Sequence, residues 1–183
     1  MCFLELTFYL FRCSDFLNHE LMMNMAFYHK IHLFDVKISD KPNQPEYCES
    51  ALILPGSEVI VCQSSIGNLG LSICYDIRFP ELYRKQTKQA VQIMAIPSAF
   101  TVETGKVHWE VLLRARAIEN LCYVLAPAQM GDRYDGRKTY GHAMIISPWG
   151  EIIQHSLQEG LIYADLDLEA QHKLRGRFPA LSH

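Results

Sequence analysis

The sequence has 183 residues, 49% of them hydrophobic, which is enough to bury the core of one α/β domain and short for two. Its formal net charge of -3 comes from scattered acids and bases, so no basic stripe marks a nucleic-acid or anionic-lipid partner, and small-molecule chemistry is favoured. The six cysteines, at 2, 13, 48, 62, 74 and 122, contain no Cys-x-x-Cys pair and no regular spacing, which argues against a zinc site or disulfide framework and fits a reducing cytoplasm.

Residues 1–27 stand apart, crowded with methionine and phenylalanine and lacking both a clear period and any glycine or proline. Met1 to Phe11 has no basic start and no small-residue cleavage site, so a signal peptide is not expected, and no apolar run reaches membrane-spanning length. Strand alternation through Tyr28-His-Lys30-Ile-His32-Leu-Phe34 would place Tyr28, Lys30 and His32 on one face. From Val59 onward short β-branched runs alternate with amphipathic stretches, the pattern of a layered α/β fold. Val59 to Cys62 and Leu69 to Cys74 read as buried strands, Pro80 opens a helix to about Gln89, and Gln92 to Ile96 is the next strand. That order favours a parallel right-handed crossover with Cys74 at the carboxyl end of its strand, where such sheets place ligands.

Trp109 to Leu121 carries a helical apolar face and Tyr123 to Ala126 follows as a strand. Gly131 to Gly141 reads as a polar loop. Ala143 to Ser147, Glu151 to His155 and Leu161 to Asp165 read as strands of a meander, with Pro148-Trp-Gly150 as the first turn. A last helix is expected over Leu168 to Arg175, ended by Gly176.

Cys74 sits where an apolar strand meets a helix, an elbow that presents nucleophiles and leaves backbone NH groups for an oxyanion; a buried structural cysteine is the competing reading. Lys30 either stabilises a tetrahedral intermediate or is a solvated edge lysine. Glu49 either orients that lysine and shares proton transfer or is a loop acid. Arg78 either clamps a substrate carboxylate or pairs with Glu81. His29 and His32 lack a nearby third ligand, so a metal is not expected. His108, Glu110 and His142 read as structural polar groups.

The stretch Gly70-Leu-Ser-Ile-Cys74-Tyr-Asp-Ile-Arg78-Phe-Pro-Glu81 resembles the nucleophile motif of the nitrilase superfamily of carbon-nitrogen hydrolases. Tyr28-His-Lys30-Ile-His-Leu-Phe-Asp35 resembles its lysine motif, and Cys48-Glu49-Ser50 with Pro55-Gly56 the segment of its second glutamate. Pro97-Ser-Ala-Phe100, His108 to Asn120, and Tyr140-Gly-His142 through Pro148-Trp-Gly150 resemble the Nit-type branch. The resemblance implies a carbon-nitrogen hydrolase domain over 28–183, built as an α-β-β-α sandwich incomplete at the N-terminus and pairing as a homodimer or larger homo-oligomer. It implies no cofactor and a small carboxamide substrate, deaminated-glutathione-like or a keto-acid ω-amide, hydrolysed through a thioester on Cys74. Lys30 and Glu49 are then catalytic partners, with Tyr75, Arg78, Ser98 and Ala99 at the substrate. The family's general-base glutamate lies well upstream of the lysine motif; Glu5 and Glu20 occupy a segment without that resemblance, so the base is expected to be missing and turnover impaired. The alternative is a non-catalytic binding or interaction subunit using the same pocket. A thiol redox protein is disfavoured because no resolving cysteine is close to Cys74 in sequence.

Overall fold

The structure, a computed structural model, describes residues 26–38, 46–132 and 136–183. The segment 1–25, with Glu5 and Glu20, lies outside the described residues. The Lys30 segment is not a strand. It crosses the molecule without a ladder until a small ribbon forms between β1 (Asp35–Lys37) and β2 (Glu46–Cys48), which run antiparallel. A short 3₁₀ turn, Glu49–Ala51, ends the ribbon.

The main sheet begins with the antiparallel pair β3 (Val61–Ser64) and β4 (Gly67–Leu71), each offset by about two residues from the sequence-predicted span. A 3₁₀ turn at Cys74–Arg78 leads into α1 (Pro80–Thr87), with proline at the first helical position where no NH is required. β5 (Ile93–Ala95) then returns parallel to β4, as the strand-helix-strand order predicts. The following helix starts seven residues before Trp109. Thr101 caps α2 (Val102–Thr104), which passes through a π-helical turn at Gly105–Trp109 into α3 (Glu110–Asn120). Gly105 hides the early start from propensity, yet it is required: a Cβ there would lie 2.3 Å from the Tyr140 ring.

β6 (Tyr123–Ala126) matches its predicted bounds and pairs parallel to β5. The stretch read as a loop instead pairs as a hairpin, β7 (Met130–Asp132) with β8 (Lys138–Tyr140), its glycines supplying left-handed backbone at Gly131, Gly136 and Gly141. β9 (Ala143–Ile146) and β10 (Ile152–Ser156) complete a six-stranded mixed sheet of order β10-β9-β6-β5-β4-β3. Leu161 to Asp165 is not a third meander strand. It alternates in exposure, but Leu161 (95% exposed) and Tyr163 (85%) face outward while the chain runs to Leu166, which packs under the sheet. Finally α4 (Leu168–Arg177) continues through Gly176, with Asp167 accepting the Ala170 NH as its N-cap.

One sheet face carries Met94, Ile96, Val124 and Ile146 against Ile77, Leu82, Trp109 and Leu113 from the helical side. The opposite face packs Leu69, Leu71, Ile93 and Tyr123 with Ala26, Tyr28, Leu166 and Leu168. Among the described residues, α1 and α3 cover one face of the large sheet, and α4 begins against the other at Leu168.

Helix α4 is fixed to the sheet by polar groups. Gln171 donates to the Gln92 and Leu121 carbonyls at 2.8 and 2.9 Å, and Arg175 to the Val91 carbonyl at 2.7 Å and the Cys122 sulfur at 2.9 Å. Burial pushes the Cys122 thiol up to about 12, although the Arg175 cation pulls it down. An unfolded thiol ionises near about 8.5, so the unfolded chain releases this proton first as pH rises. The stability present below about pH 8.5 is therefore lost toward about pH 12, at roughly 1.4 kcal/mol per pH unit. Cys122→Ala should flatten the fall of urea midpoints between pH 9 and 11; identical slopes for the two proteins would refute this.

Candidate active site

The apolar strand β4 delivers the chain to a turn that no ordinary residue adopts freely. Cys74 has φ 50°, in the left-handed region, and its NH donates to the Pro97 carbonyl at 2.8 Å, tying the turn to the end of β5. Asp76 holds the turn from inside. It is 0% exposed, and its Oδ2 accepts the Ile73 NH at 2.9 Å and the Tyr28 hydroxyl at 2.8 Å. Its Oδ1 accepts the His32 NH at 3.0 Å and contacts His32 Nδ1 at 2.7 Å. The His32 ring also stacks on Phe79 at 3.6 Å. Tyr28 and His32 thus reach the same partner, as the alternation expected, but Lys30 between them goes elsewhere.

Lys30 is 8% exposed and its Nζ lies 2.5 Å from Glu49 Oε2, which also accepts the Phe34 NH at 2.7 Å. Gly56 donates its NH to the Lys30 carbonyl at 2.8 Å, holding the lysine segment from the other side. The Cys74 thiol is pushed up, first by burial and also by Glu49 and Asp76, while the Lys30 charge and a hydrogen bond with the Ala99 backbone pull it down. Cys74, Lys30 and Glu49 are therefore one electrostatic unit.

Tyr75 follows the cysteine and its ring meets Phe34 at 5.0 Å. Arg78 sets its guanidinium over the Tyr75 and Phe100 rings, at 5.7 and 5.4 Å, and contacts His108 Nδ1 at 3.3 Å, so its neighbour is His108 where a Glu81 pairing was the alternative. Ala99 reaches the thiol through its backbone. Ser98 is different: it is 2% exposed, and its hydroxyl donates to the Ile96 carbonyl at 3.2 Å. A cleft of about 1410 Å³ passes Ser98, Leu125, His142 and Leu166, but Cys74, Lys30 and Glu49 do not line it.

Sequence reasoning gave Asp76 no role. The available signal was spacing: an acid three residues after Ile73 caps the turn by accepting the Ile73 NH. Gly56 is another. A Cβ there would meet the His29 carbonyl oxygen at 2.2 Å, a backbone atom that cannot swing aside. Gly56→Ala should displace the Lys30 segment and slow acylation of Cys74 at least about tenfold, since small misplacements cost large factors; an unchanged rate would refute it.

Residues 11–175 match the carbon-nitrogen hydrolase family model. The chain belongs to the carbon-nitrogen hydrolase family. The match begins inside the segment whose composition stands apart. Over 162 residues the chain is 49% identical to the deaminated glutathione amidase of Synechocystis, covering 87% of this chain and 58% of that protein. It thus spans just under three-fifths of that curated relative's length. The crystal structure of the Caenorhabditis elegans NitFhit protein superposes with a TM-score of 0.81 at 45% identity, over 88% of this chain and 39% of that one. Saccharomyces cerevisiae Nit3, a member of branch 10 of the nitrilase superfamily, gives 0.73 at 32% identity, over 86% and 54%. The α/β layering described above is accordingly that of the nitrilase fold.

Proposed function

We propose that Cys74, Lys30 and Glu49 are the centre of a small-carboxamide hydrolase acting through a thioester. The observation that carries this reading is the 2.5 Å Lys30–Glu49 pair whose charges both act on the thiol of a left-handed turn. The Cys74 sulfur, once deprotonated, attacks the amide carbon; the C–N bond breaks as a proton is delivered to nitrogen, and ammonia leaves. Water then adds to the thioester, giving the carboxylate and returning the thiol. Lys30 Nζ and the Tyr75 NH stabilise the oxyanion in both steps. The Synechocystis relative's name supports a deaminated-glutathione-like amide, and a keto-acid ω-amide shares the chemistry. Arg78 beside the elbow suits the substrate's carboxylate, and Ala99 contributes backbone and a small side chain; Ser98 shapes the same loop.

We also infer that the 183-residue chain turns amides over slowly. Proton transfer needs an available carboxyl, and among the described residues the two carboxyls acting on the thiol are engaged: Glu49 Oε2 by Lys30 and Phe34, Asp76 by four contacts. Activated esters, whose leaving group needs no proton, should still acylate. Intact mass after incubation with the p-nitrophenyl monoester of glutaric acid should show one adduct, absent in Cys74→Ala. No adduct, together with retained binding of a dicarboxylic monoamide, would replace this reading with the non-catalytic binding subunit.

The raised thiol sets the pH behaviour. Iodoacetamide should alkylate Cys74 more slowly at pH 7 than an unperturbed thiol, with the rate climbing beyond the ordinary thiol range of about 8.5. A plateau at or below about pH 8 would contradict that shift. The cytoplasm remains the proposed compartment, supported by four free cysteines among the described residues. Pairing with a second copy is proposed too, supported by exposed Val107, Val111 and Ile118 along the α3 side, and light scattering in solution decides it.

A further inference from the structure

We propose that His108 is a positioning residue of this site, turning the Arg78 guanidinium so that its N–H fork faces a carboxylate carried by the amide substrate. The assignment rests on the amidase reading above, in which Arg78 meets that carboxylate, and adds the group that aims it.

Arg78 is held near the nucleophile by two rings. It closes the 3₁₀ turn that Cys74 opens, roughly 8 Å along the axis. Its guanidinium lies 5.7 Å from the Tyr75 ring centroid and 5.4 Å from that of Phe100. Tyr75 is the residue after the nucleophile, and Phe100 follows Ala99, whose backbone hydrogen-bonds the thiol. Ring contacts fix where a guanidinium sits but leave it free to turn in its own plane. A carboxylate is received by two parallel N–H bonds in that plane, so the direction of the fork decides the match.

His108 supplies the missing constraint. Arg78 Nη2 lies 3.3 Å from His108 Nδ1, and because a guanidinium only donates, Nδ1 presents its lone pair in this contact. An uncharged acceptor orients the fork without cancelling its charge, as a carboxylate at 108 would.

The mount is rigid although the histidine is exposed. His108 belongs to the π-helical turn Gly105–Trp109, whose extra residue rotates the chain before it by roughly 100° relative to α3. Buried anchors stand on both sides. Gly105 donates its NH to the Thr101 carbonyl at 2.8 Å and lies against the Tyr140 ring. Trp109 is 0% exposed and donates its indole NH to the His142 carbonyl at 2.8 Å. The backbone at 108 is thereby fixed from both directions while its imidazole stays at the surface, facing Arg78.

The test compares Cys74 acylation by the p-nitrophenyl monoester of glutaric acid and by its neutral methyl diester counterpart. Wild-type protein should prefer the anionic ester, and His108→Leu should lower the anionic-to-neutral rate ratio at least about threefold, the order expected for one hydrogen bond. His108→Gln should recover at least half of that loss, because its amide oxygen can accept from Arg78. In an Arg78→Met background, His108→Leu should change the ratio no further, since its influence passes through the arginine. A wild-type ratio near one, a smaller fall in His108→Leu, no recovery in His108→Gln, or an undiminished fall in the Arg78→Met background each overturns the assignment. If neither ester acylates the wild-type chain, the amidase reading fails separately, and calorimetry with the monoamide of glutaric acid decides His108. There a threefold weaker Kd in His108→Leu, recovered in His108→Gln, supports the role; an equal Kd, no recovery, or no binding to wild type overturns it.

Discussion

Replacing Asp76 with alanine should destabilise the chain by about 3–5 kcal/mol and nearly abolish acylation of Cys74. The loss follows from what this carboxyl holds. It is wholly buried and receives the Ile73 NH, the Tyr28 hydroxyl and the His32 backbone NH, with the His32 ring against it. A buried donor stripped of its acceptor costs about 1–3 kcal/mol, and those on the half-buried Tyr28 and His32 recover some of that from water. The Ile73 NH does not. Asp76→Asn keeps one acceptor oxygen but turns an NH₂ toward donors, so a smaller loss of about 1–3 kcal/mol is expected, since a hydroxyl can rotate to accept and a backbone NH cannot. The functional loss has a second cause. Tyr28 and His32 flank Lys30, so releasing them frees the segment that brings its charge to the thiol. Urea midpoints and alkylation rates measured together are the check; an alanine variant with wild-type values of both would remove Asp76 from this role.

The legible parts of the fold are those decided within one local period. β6 and the Pro148-Trp-Gly150 turn fall at their predicted places, and α1 begins at its proline, because strand alternation, turn chemistry and the N1 preference need only neighbouring residues. The misses need a distant partner. Leu161 to Asp165 has the alternation of a strand but no pairing neighbour among the described residues, and the β7–β8 hairpin is stabilised by pairing that its polar, glycine-rich composition conceals. Lys30 shows both sides. Only the family resemblance of its motif singles the residue out, and its contact to Glu49 crosses from an irregular segment that periodicity describes as a strand. Asp76 is the hardest to read because its value lies in four contacts, three of them made by residues more than forty positions away.

Lys30→Met should slow acylation of Cys74 by about 10²–10³-fold, the effect of removing one preorganised donor from an oxyanion site. Two terms add in the same direction. Methionine keeps most of the volume of a residue only 8% exposed, so the packing survives, but the positive charge that pulls the thiol down is gone. The thiolate fraction at neutral pH falls, and the oxyanion loses its cation. Glu49→Gln should cost less, because Lys30 keeps its charge and the amide oxygen can still accept from it. The informative result is the double variant. If Lys30 and Glu49 act as the coupled pair that their 2.5 Å contact describes, Lys30→Met with Glu49→Gln should lose clearly less than the sum of the two singles, because the second change also removes the unpaired negative charge that pushes the thiol up. Fully additive losses would instead mean that Glu49 reaches the substrate independently. Measuring both singles and the double with an activated ester keeps leaving-group protonation out of the comparison, so the cycle reports the electrostatics of the pair itself.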